Sequence, residues 1–259
     1  MRPSQHAPEL LRVATYNIHK GVRGMGLRKR LEIHNLSLGV KALNADVVFL
    51  QEVRHFHHGH ARQFKRSAFG WPEQPQAEFL APEGYEIAYR TNAVTRGGEH
   101  GNALLSRWPL GEIGHRDVSD HRFEQRGLLH VPIAWNGVAV HAVVAHLGLM
   151  HSSRVRQVER IATFIQAQVP AGEPVVVAGD FNDWADRLDA PMRSIGLQRA
   201  SIDTLSSSPL RTFPSRAPVF SLDRIYTRGF ACRTVLVPRG QTWARMSDHL
   251  PLVAELELA

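Results

Sequence analysis

Short runs of apolar, often β-branched residues recur along the whole chain, and Gly, Pro, Asn and Asp separate them. Runs of this length and composition are typical of buried β-strands. The pattern predicts strands at residues 11–18, 46–50, 85–89, 102–105, 128–135, 138–145, 174–178, 221–227 and 250–258.

Helical periodicity is clearest in residues 152–168, where apolar side chains recur three or four positions apart and charged side chains fall between them. Ser152 or Ser153 is a suitable N-cap for this helix. The same reasoning predicts a second helix at 28–43 and a shorter third helix at 186–195, which ends before a glycine.

The order of these elements indicates the fold class. Consecutive strands with few helices between them favour an α/β (α+β) arrangement of mixed or largely antiparallel sheets with helices outside, and disfavour a regular βαβ barrel. A chain of 259 residues with 43% hydrophobic residues is long enough to bury one substantial core. Because no internal repeat or low-complexity linker interrupts the chain, we expect a single domain over residues 1–259, with its core at about 12–258.

The charge balance favours anionic partners. The formal net charge is +7 and the pI about 10.2, so nucleic acid, phospholipid headgroups and phosphorylated small molecules would all be attracted. An ordinary solvated surface explains the same surplus, and the lack of regularly interleaved aromatic residues favours that explanation slightly. The candidates for a nucleic-acid surface are Arg23, Arg28, Lys29, Arg30, Arg62, Lys65 and Arg66.

Cysteine content and hydropathy indicate the compartment. Cys232 is the only cysteine, which excludes an intramolecular disulfide and a cysteine-rich metal site. The chain has no apolar run long enough for a signal peptide or a transmembrane segment. We therefore expect a soluble, cytoplasmic protein.

Two polar segments invite a functional interpretation. Residues 54–79 contain His55, His57, His58 and His60, but a Gly-containing polar run does not supply converging metal-ligand geometry, so we expect a solvated surface and an ordered loop. The glycine-rich run at 21–26 lacks the spacing of a nucleotide-binding motif, and we expect a mobile loop there in preference to a phosphate cradle.

Polar residues stand where several predicted strands end, in positions that a buried apolar strand does not need. Each has a simpler role when taken alone, such as a turn cap, an Asx-turn, a solvated edge residue or a satisfied core histidine. Carboxylates directly after apolar runs are costly to bury unless they are paired or bound to metal, so one shared site explains the set more economically. The set is Asn17, Glu52, His146, Asp180, Asn182, Asp223, Asp248 and His249.

This chemistry suits a hard cation. Mg²⁺ or Mn²⁺ prefers oxygen ligands and keeps several waters, so one or two carboxylates are sufficient, with Glu52 as the first choice. Asp223 and His249 can form a carboxylate–imidazole pair that takes a proton from water or stabilises charge on a phosphate.

The motifs TYNIHKG, LQEV, GNALLSRWPL, AHLG, GDFND, SLDRIY and SDHLPL follow one another in this order over nearly the whole chain. This set resembles the endonuclease/exonuclease/phosphatase superfamily, which includes DNase I, abasic-site endonucleases and sphingomyelinases, and it is most similar to a bacterial branch described as metal-dependent hydrolases. The resemblance implies a four-layer, DNase I-like sandwich, with two mixed β-sheets face to face and helices outside.

The resemblance also implies roles for the polar residues. Asn17 and Glu52 would lie at the metal, with Asp248 as an additional carboxylate beside it. Asp180 and Asn182 would position the attacking water and the phosphate, and His146 would hydrogen-bond the phosphate. His249, oriented by Asp223, would contact the scissile phosphate, and water would attack in line without a covalent intermediate.

Two departures argue against abasic-site repair. His19 stands where those endonucleases carry an Asp, and the Tyr that they place beside the phosphate has no clear equivalent. A nuclease, a phospholipid-headgroup phosphodiesterase and a non-catalytic binding module all stay open, as do diester against monoester preference, the number of metal ions and the oligomeric state. A dinucleotide- or nucleoside-triphosphate-binding enzyme is disfavoured because neither glycine motif is present.

Overall fold

The computed structural model describes residues 9–24, 29–65, 69–95, 97–201 and 210–259. The helices in this part of the chain are α1 (Ile33–Leu43), α2 (His58–Gln63), α3 (Gln76–Leu80), α4 (His151–Gln168), α5 (Asp189–Ser194) and α6 (Trp243–Met246). The strands are β1 (Leu11–Asn17), β2 (Val22–Arg23), β3 (Arg30–Leu31), β4 (Val47–His57), β5 (Glu86–Thr95), β6 (Gly98–Ser106), β7 (Gly114–Asp117), β8 (Gly127–Trp135), β9 (Val138–His146), β10 (Val175–Asp180), β11 (Gln198–Arg199), β12 (Asp223–Arg228), β13 (Phe230–Leu236) and β14 (Leu252–Leu258).

Twelve of these strands form two six-stranded mixed sheets. The first sheet has the order β13-β14-β1-β4-β6-β5, and the second has the order β11-β12-β10-β9-β8-β7. In each sheet the central pair is parallel, β1 with β4 and β9 with β10, and the remaining pairs are antiparallel. The two sheets therefore share one plan, with a parallel pair at the centre of each.

The main hydrophobic core lies between the two sheets. Alternate residues of each central strand face it, such as Val13 of β1, Phe49 of β4, Val144 of β9 and Val176 of β10. This two-residue period follows from the pleat of a β-strand, which directs successive side chains to opposite faces. The predicted face-to-face packing of two mixed sheets is confirmed.

Helices cover the outer faces of both sheets. α1 packs Leu36 and Val40 against the outer side of the first sheet, and α4 packs Val158 and Ile161 against the outer side of the second. These side chains recur three or four positions apart, so one stripe of each helix is buried. The helices complete the predicted four-layer, DNase I-like sandwich.

The predicted helix bounds are wrong in three places. α4 begins at His151, and Ser153 lies inside the helix, where its hydroxyl donates to Asp120 at 2.7 Å, so neither predicted serine is the N-cap. α1 begins at Ile33 because residues 30–31 pair with β2. The third helix is only the six-residue α5. Residue 28, where the second helix was predicted to begin, lies outside the described residues.

The prediction of a solvated loop at residues 54–79 is also wrong in part. β4 continues as far as His57, and two short helices follow. His55 and His58 are exposed as expected, but His60 is buried, with its ring against Phe64 and Trp71. Tertiary packing of these aromatic rings buries His60, and no local pattern of polar residues encodes that.

Three of the four edge strands of the six-stranded sheets were not predicted, and one of them, β11, has only two residues. β7 has the polar sequence Gly-His-Arg-Asp, and β13 is only partly buried along most of its length, so neither carries an apolar run. Both pair along one side only with a strand that the sequence did predict. No helix of the described residues has the length and apolar character required to cross a membrane.

A buried histidine on the outer face of the second sheet predicts acid sensitivity. His130 hydrogen-bonds His141 at 2.8 Å and packs against Phe164, and burial, followed by the charge of His141, lowers its pKa to about 4 from an ordinary 6.5. Between these two values the unfolded chain takes up a proton that the folded protein excludes, so stability is full above pH 6.5 and falls toward pH 4. We expect His130 to account for about 2 kcal/mol of that loss. Urea unfolding at several pH values should show a shallower acid slope for His130→Leu; an unchanged slope would contradict this assignment.

Candidate active site

The register of the two sheets brings most of the predicted polar residues to one end of the sandwich. Asn17 at the end of β1 continues the inward-facing series of Val13 and Thr15, and it pairs with Gln51 of β4. In the second sheet Asp180 lies opposite both His146 of β9 and Asp223 of β12. The inner faces are therefore apolar along most of their length and become polar where the strands end.

A bulge in β4 places Glu52. The ladder between β4 and β6 shifts register between Leu50 and Val53, and Glu52 has a φ of +57°, in the left-handed region. Regular alternation would direct Glu52 to the outer face, beside Leu50. The bulge instead lets the Glu52 carboxylate accept a hydrogen bond from Asn17 Nδ2 at 3.3 Å.

Asp180 is the centre of the cluster. Its Oδ2 accepts a hydrogen bond from Asn17 Nδ2 at 3.0 Å and lies 3.6 Å from His146 Nε2 and 3.7 Å from His249 Nε2. Its Oδ1 accepts the backbone N–H of Asn182 at 2.9 Å. Burial raises the pKa of Asp180, and the two histidines oppose that effect.

The turn after β10 depends on two unusual backbone positions. Gly179 has a φ of +157°, and a Cβ there would lie 1.7 Å from the Ala145 carbonyl oxygen, so only glycine fits beside β9. Asn182 has a φ of +47°, a left-handed conformation that asparagine tolerates better than most residues. Its side-chain Nδ2 donates to the carbonyl oxygen of Leu147 at 2.9 Å. The hydrogen bond from the Asn182 N–H to Asp180 Oδ1 is the Asx-turn that the sequence offered as a simpler role for this pair. The turn is present, and both residues also belong to the cluster.

His249 is held as a cation. It lies in the turn before β14, and its Nδ1 contacts Asp223 Oδ2 at 2.8 Å. Burial favours the neutral ring, but Asp223 and then Asp180 outweigh burial and raise the pKa of His249 to about 10. His249 therefore carries a positive charge at neutral pH, with Nε2 directed toward Asp180.

His146 has the opposite protonation state. Burial, followed by the charge of Arg126, lowers its pKa to about 4 although Asp180 favours the charged ring. The imidazole is therefore neutral at pH 7. The site thus combines one charged and one neutral histidine, both within 4 Å of Asp180 Oδ2.

The two remaining carboxylates each face a basic side chain from the turn after β1. Lys20 Nζ lies 2.8 Å from Glu52 Oε2, and His19 Nδ1 lies 3.1 Å from Asp248 Oδ2. Both basic residues have left-handed backbone, and the Lys20 carbonyl accepts from Gln76 Nε2 at 2.8 Å. Burial favours a neutral Glu52, but Lys20 outweighs it and lowers the pKa of Glu52 well below its ordinary value. In Asp248, the hydrogen bond from His19 and the charge of His249 likewise outweigh burial and lower the pKa.

The donor set fits a hard divalent cation bound chiefly by Glu52. Among the described residues, no group of three or more His, Cys, Asp and Glu side chains is arranged to hold a metal ion by itself, but Mg²⁺ requires only one or two protein carboxylates and fills its other positions with water and substrate. Glu52 is ionised, and its Oε2 already faces a positive charge. Asn17 directs its amide nitrogen toward Glu52 and Asp180, and its Oδ1 accepts the His19 N–H at 3.0 Å. This orientation suits a residue that positions the two carboxylates.

Lys20 should compete with a metal ion for Glu52. Because the ammonium group lies 2.8 Å from Glu52 Oε2, it opposes a second cation there. We expect Lys20→Met to tighten Mn²⁺ binding about tenfold, as removal of one nearby like charge predicts. Isothermal titration with Mn²⁺ measures this directly, with Lys41→Met on α1 as the control. Equal or weaker binding in Lys20→Met would show that Lys20 does not compete with the ion.

The sequence reasoning missed several residues around the cluster. It noted His19 only as a departure, gave Lys20 no role, and did not consider the aromatic side chains beside His249. Phe213 packs on the His249 ring at 4.9 Å between centroids, and Trp184 packs on Phe213 at 5.5 Å. His19 and Lys20, two and three residues after Asn17, were themselves the available signal, whereas the aromatic contacts join residues that are distant in the chain.

Comparison with known proteins identifies the family. The sequence model of the Endonuclease/Exonuclease/phosphatase family matches residues 14–249. The uncharacterized protein YbhP of Escherichia coli (strain K12) is 37% identical over 263 residues, covering 99% of this chain and 100% of YbhP. The endonuclease/exonuclease/phosphatase of Bacteroides vulgatus has a TM-score of 0.73 at 19% identity, covering 96% of this chain and 99% of its own. The mannosyl-6-phosphatase Bt3783 of Bacteroides thetaiotaomicron has a TM-score of 0.66 at 18% identity, covering 95% and 99%. This chain belongs to the Endonuclease/Exonuclease/phosphatase family.

Proposed function

We propose that this protein is a divalent-metal-dependent phosphoester hydrolase in which water attacks phosphorus in line and no covalent intermediate forms. The observation that carries the proposal is the position of Asp180, whose Oδ2 lies within 4 Å of Asn17, His146 and His249. One buried carboxylate thus lies among a neutral amide, a neutral imidazole and an imidazolium. Family membership supports reaction at a phosphoester bond.

Asp180 would orient the attacking water and accept its proton. A raised pKa makes the Asp180 carboxylate a stronger base than an exposed aspartate, so it is suited to take a proton from the attacking water. The Asn182 N–H fixes one oxygen, and Asn17 holds the other. These two hydrogen bonds hold the carboxylate in one orientation.

The two histidines would act on the phosphate in different ways. His249, charged and held by Asp223, would stabilise the negative charge that develops on a non-bridging oxygen during attack. His146, neutral at pH 7, would hydrogen-bond a phosphate oxygen without adding charge. Asn182 would position the phosphate from the turn that follows Asp180.

Glu52 would hold the Mg²⁺ or Mn²⁺ ion, with Asp248 and the Asn17 amide beside it. When bound, such an ion neutralises charge on the phosphate and favours departure of the leaving oxygen. Displacement of the Lys20 ammonium from Glu52 would free Oε2 for the ion, and the ammonium group would then be available to a substrate phosphate oxygen.

The test is hydrolysis of a substrate panel by the purified protein. The panel contains bis-p-nitrophenyl phosphate, p-nitrophenyl phosphate, plasmid DNA, single-stranded DNA and phospholipid vesicles, each with Mg²⁺ or Mn²⁺ and with EDTA. We expect turnover of at least one phosphodiester that EDTA abolishes and Mn²⁺ restores. Turnover that is insensitive to EDTA would contradict the metal requirement, and no turnover on any substrate would favour a non-catalytic binding module.

A further inference from the structure

A groove of about 660 Å³ begins at the catalytic end of the sandwich. Its walls come from the β5–β6 hairpin, the segment 121–126 and the residues before α4. Arg126 connects it to the site, because Arg126 Nε and Asn182 Nδ2 both donate to the Leu147 carbonyl, at 3.1 and 2.9 Å. His100 in the opposite wall pairs in register with Arg54, two residues after Glu52. The groove therefore lies next to the residues proposed to cleave the substrate.

The rim of this groove exposes large apolar side chains. A soluble protein rarely gathers such side chains in one place unless they contact a ligand, a membrane or a partner. Those lining the groove are Val94 at 69% exposed, Phe123 at 83%, Leu149 at 57% and Met150 at 61%.

More exposed apolar side chains lie near His249. Trp184, Val219 and Phe220 are exposed, and Trp184 reaches the site through Phe213, which packs on His249. Together the two groups make up seven of the twelve large hydrophobic residues that the described part of the chain exposes. The exposed apolar surface is therefore concentrated around the catalytic end.

The groove also carries positive charge. Arg122 and Arg126 line it, and the Arg122 guanidinium lies 4.7 Å from the centre of the Phe123 ring. Among the described residues that line the groove, Glu124 is the only carboxylate, and because Arg126 pairs with it, the Arg122 guanidinium is the uncompensated charge. An apolar rim with a cation beside it is suited to the surface of an anionic bilayer, where apolar side chains enter the acyl boundary and an arginine meets phosphate.

The composition of the rim favours lipid over single-stranded nucleic acid. Stacking platforms for bases use several aromatic side chains along a basic groove. Here only Phe123 among the four apolar rim residues is aromatic, and the other three are aliphatic or thioether side chains, which cannot stack with a base. The net charge of +7 suits attraction to an anionic surface.

We propose that this rim docks on an anionic phospholipid bilayer and that the site takes the phosphoester of a lipid headgroup from it. The substrate half of this proposal rests on the proposed hydrolase function, whereas the docking half depends only on the rim. The two halves are therefore tested separately, with binding measured in EDTA so that no turnover occurs.

The docking test is co-sedimentation with vesicles of phosphatidylcholine, with and without phosphatidylglycerol. The double variant Phe123→Ser/Leu149→Ser removes two rim side chains. Its control, Leu38→Ser/Phe69→Ser, removes one Leu and one Phe of similar exposure, 68% and 79%, from the side of the molecule that carries α1. We expect the wild type and the control to bind anionic vesicles and the rim variant to bind about tenfold more weakly or worse.

Four outcomes separate the two proposals. Absence of wild-type binding, or equal loss in both double variants, overturns docking. Tight single-stranded DNA binding that is lost only in the rim variant assigns the groove to nucleic acid and also overturns docking on a bilayer. Hydrolysis of soluble bis-p-nitrophenyl phosphate without release of headgroup from anionic vesicles overturns the lipid substrate while the hydrolase function stands. Specific vesicle binding without turnover of any phosphoester supports docking and contradicts the hydrolase.

Discussion

Replacing Asp180 with Asn is expected to lower kcat for phosphodiester hydrolysis by ~10³-fold or more, because the cluster loses both its base and the negative charge beside His249. The same change should leave the fold as stable as the wild type or more stable. The raised pKa of Asp180 means that the folded protein disfavours the ionised form, so ionised Asp180 costs stability at neutral pH and a neutral amide removes that cost. Steady-state kinetics and urea unfolding at pH 7 measure the two effects.

Asp183 provides the matched control. It is three residues along the chain and equally buried, but its Oδ2 pairs with Arg224 Nη1 at 3.0 Å and accepts the Leu188 N–H at 2.8 Å, away from the cluster. Asp183→Asn should lower the free energy of unfolding by about 2 kcal/mol, since it weakens one buried partner of Arg224 while Asp186 and Asp189 stay paired with it. It should retain most of the kcat per folded molecule. A loss of activity in Asp183→Asn as large as in Asp180→Asn would show that stability, not chemistry, explains both variants.

Replacing Glu52 with Gln should weaken Mn²⁺ binding about 100-fold or more and remove metal-dependent turnover. Glu52 is a partly buried, ionised carboxylate whose two oxygens face Lys20 and Asn17, so an amide there removes the principal charge available to a cation. Isothermal titration measures Mn²⁺ binding directly, so it distinguishes a loss of metal binding from a loss of turnover with the metal still bound.

Glu32→Gln is the control for this variant. Glu32 is a buried carboxylate that is also paired with a basic residue, Arg30 at 2.9 Å, but it precedes α1 and takes no part in the cluster. Its Mn²⁺ affinity should equal that of the wild type. If Glu52→Gln binds Mn²⁺ as tightly as Glu32→Gln, the ion is held elsewhere and the role given to Glu52 is wrong.

The fold class could be predicted from the sequence because two-residue alternation and short apolar runs dominate the central strands. β9 and β10 are mostly Val and Ala, so their positions and approximate ends follow directly from composition. The same alternation predicts which strand-end residues face inward, since Asn17 continues the series of Val13 and Thr15, and Asp180 continues that of Val176 and Ala178.

The elements that could not be predicted lack that signal. β13 has only partly buried and exposed positions because it is an edge strand with one pairing partner, and β7 is polar throughout. The end of β4 extends through the bulge at Glu52, which breaks the alternation on which the prediction relied. Strand edges and bulges are set by pairing between distant segments, which a local pattern does not record.

The candidate site also has one part that the sequence predicts and one part that it does not. Its acids, amides and histidines occupy motif positions, and the register of the sheets brings them together. The ion pair of Lys20 with Glu52 and the contact of His19 with Asp248 depend on a left-handed turn after β1, where both basic residues have positive φ. Composition alone does not predict these contacts. The roles given to the site residues stay predictions that the variants above would test.

The most direct test of the central claim is a single turnover of bis-p-nitrophenyl phosphate by the wild-type protein with Mn²⁺ in H₂¹⁸O. Attack by water on phosphorus predicts one ¹⁸O atom in the p-nitrophenyl phosphate product and none in the p-nitrophenol, with this labelled product lost in Asp180→Asn. Incorporation of ¹⁸O into p-nitrophenol, or isolation of a phosphorylated protein, would contradict hydrolysis by water at a site centred on Asp180.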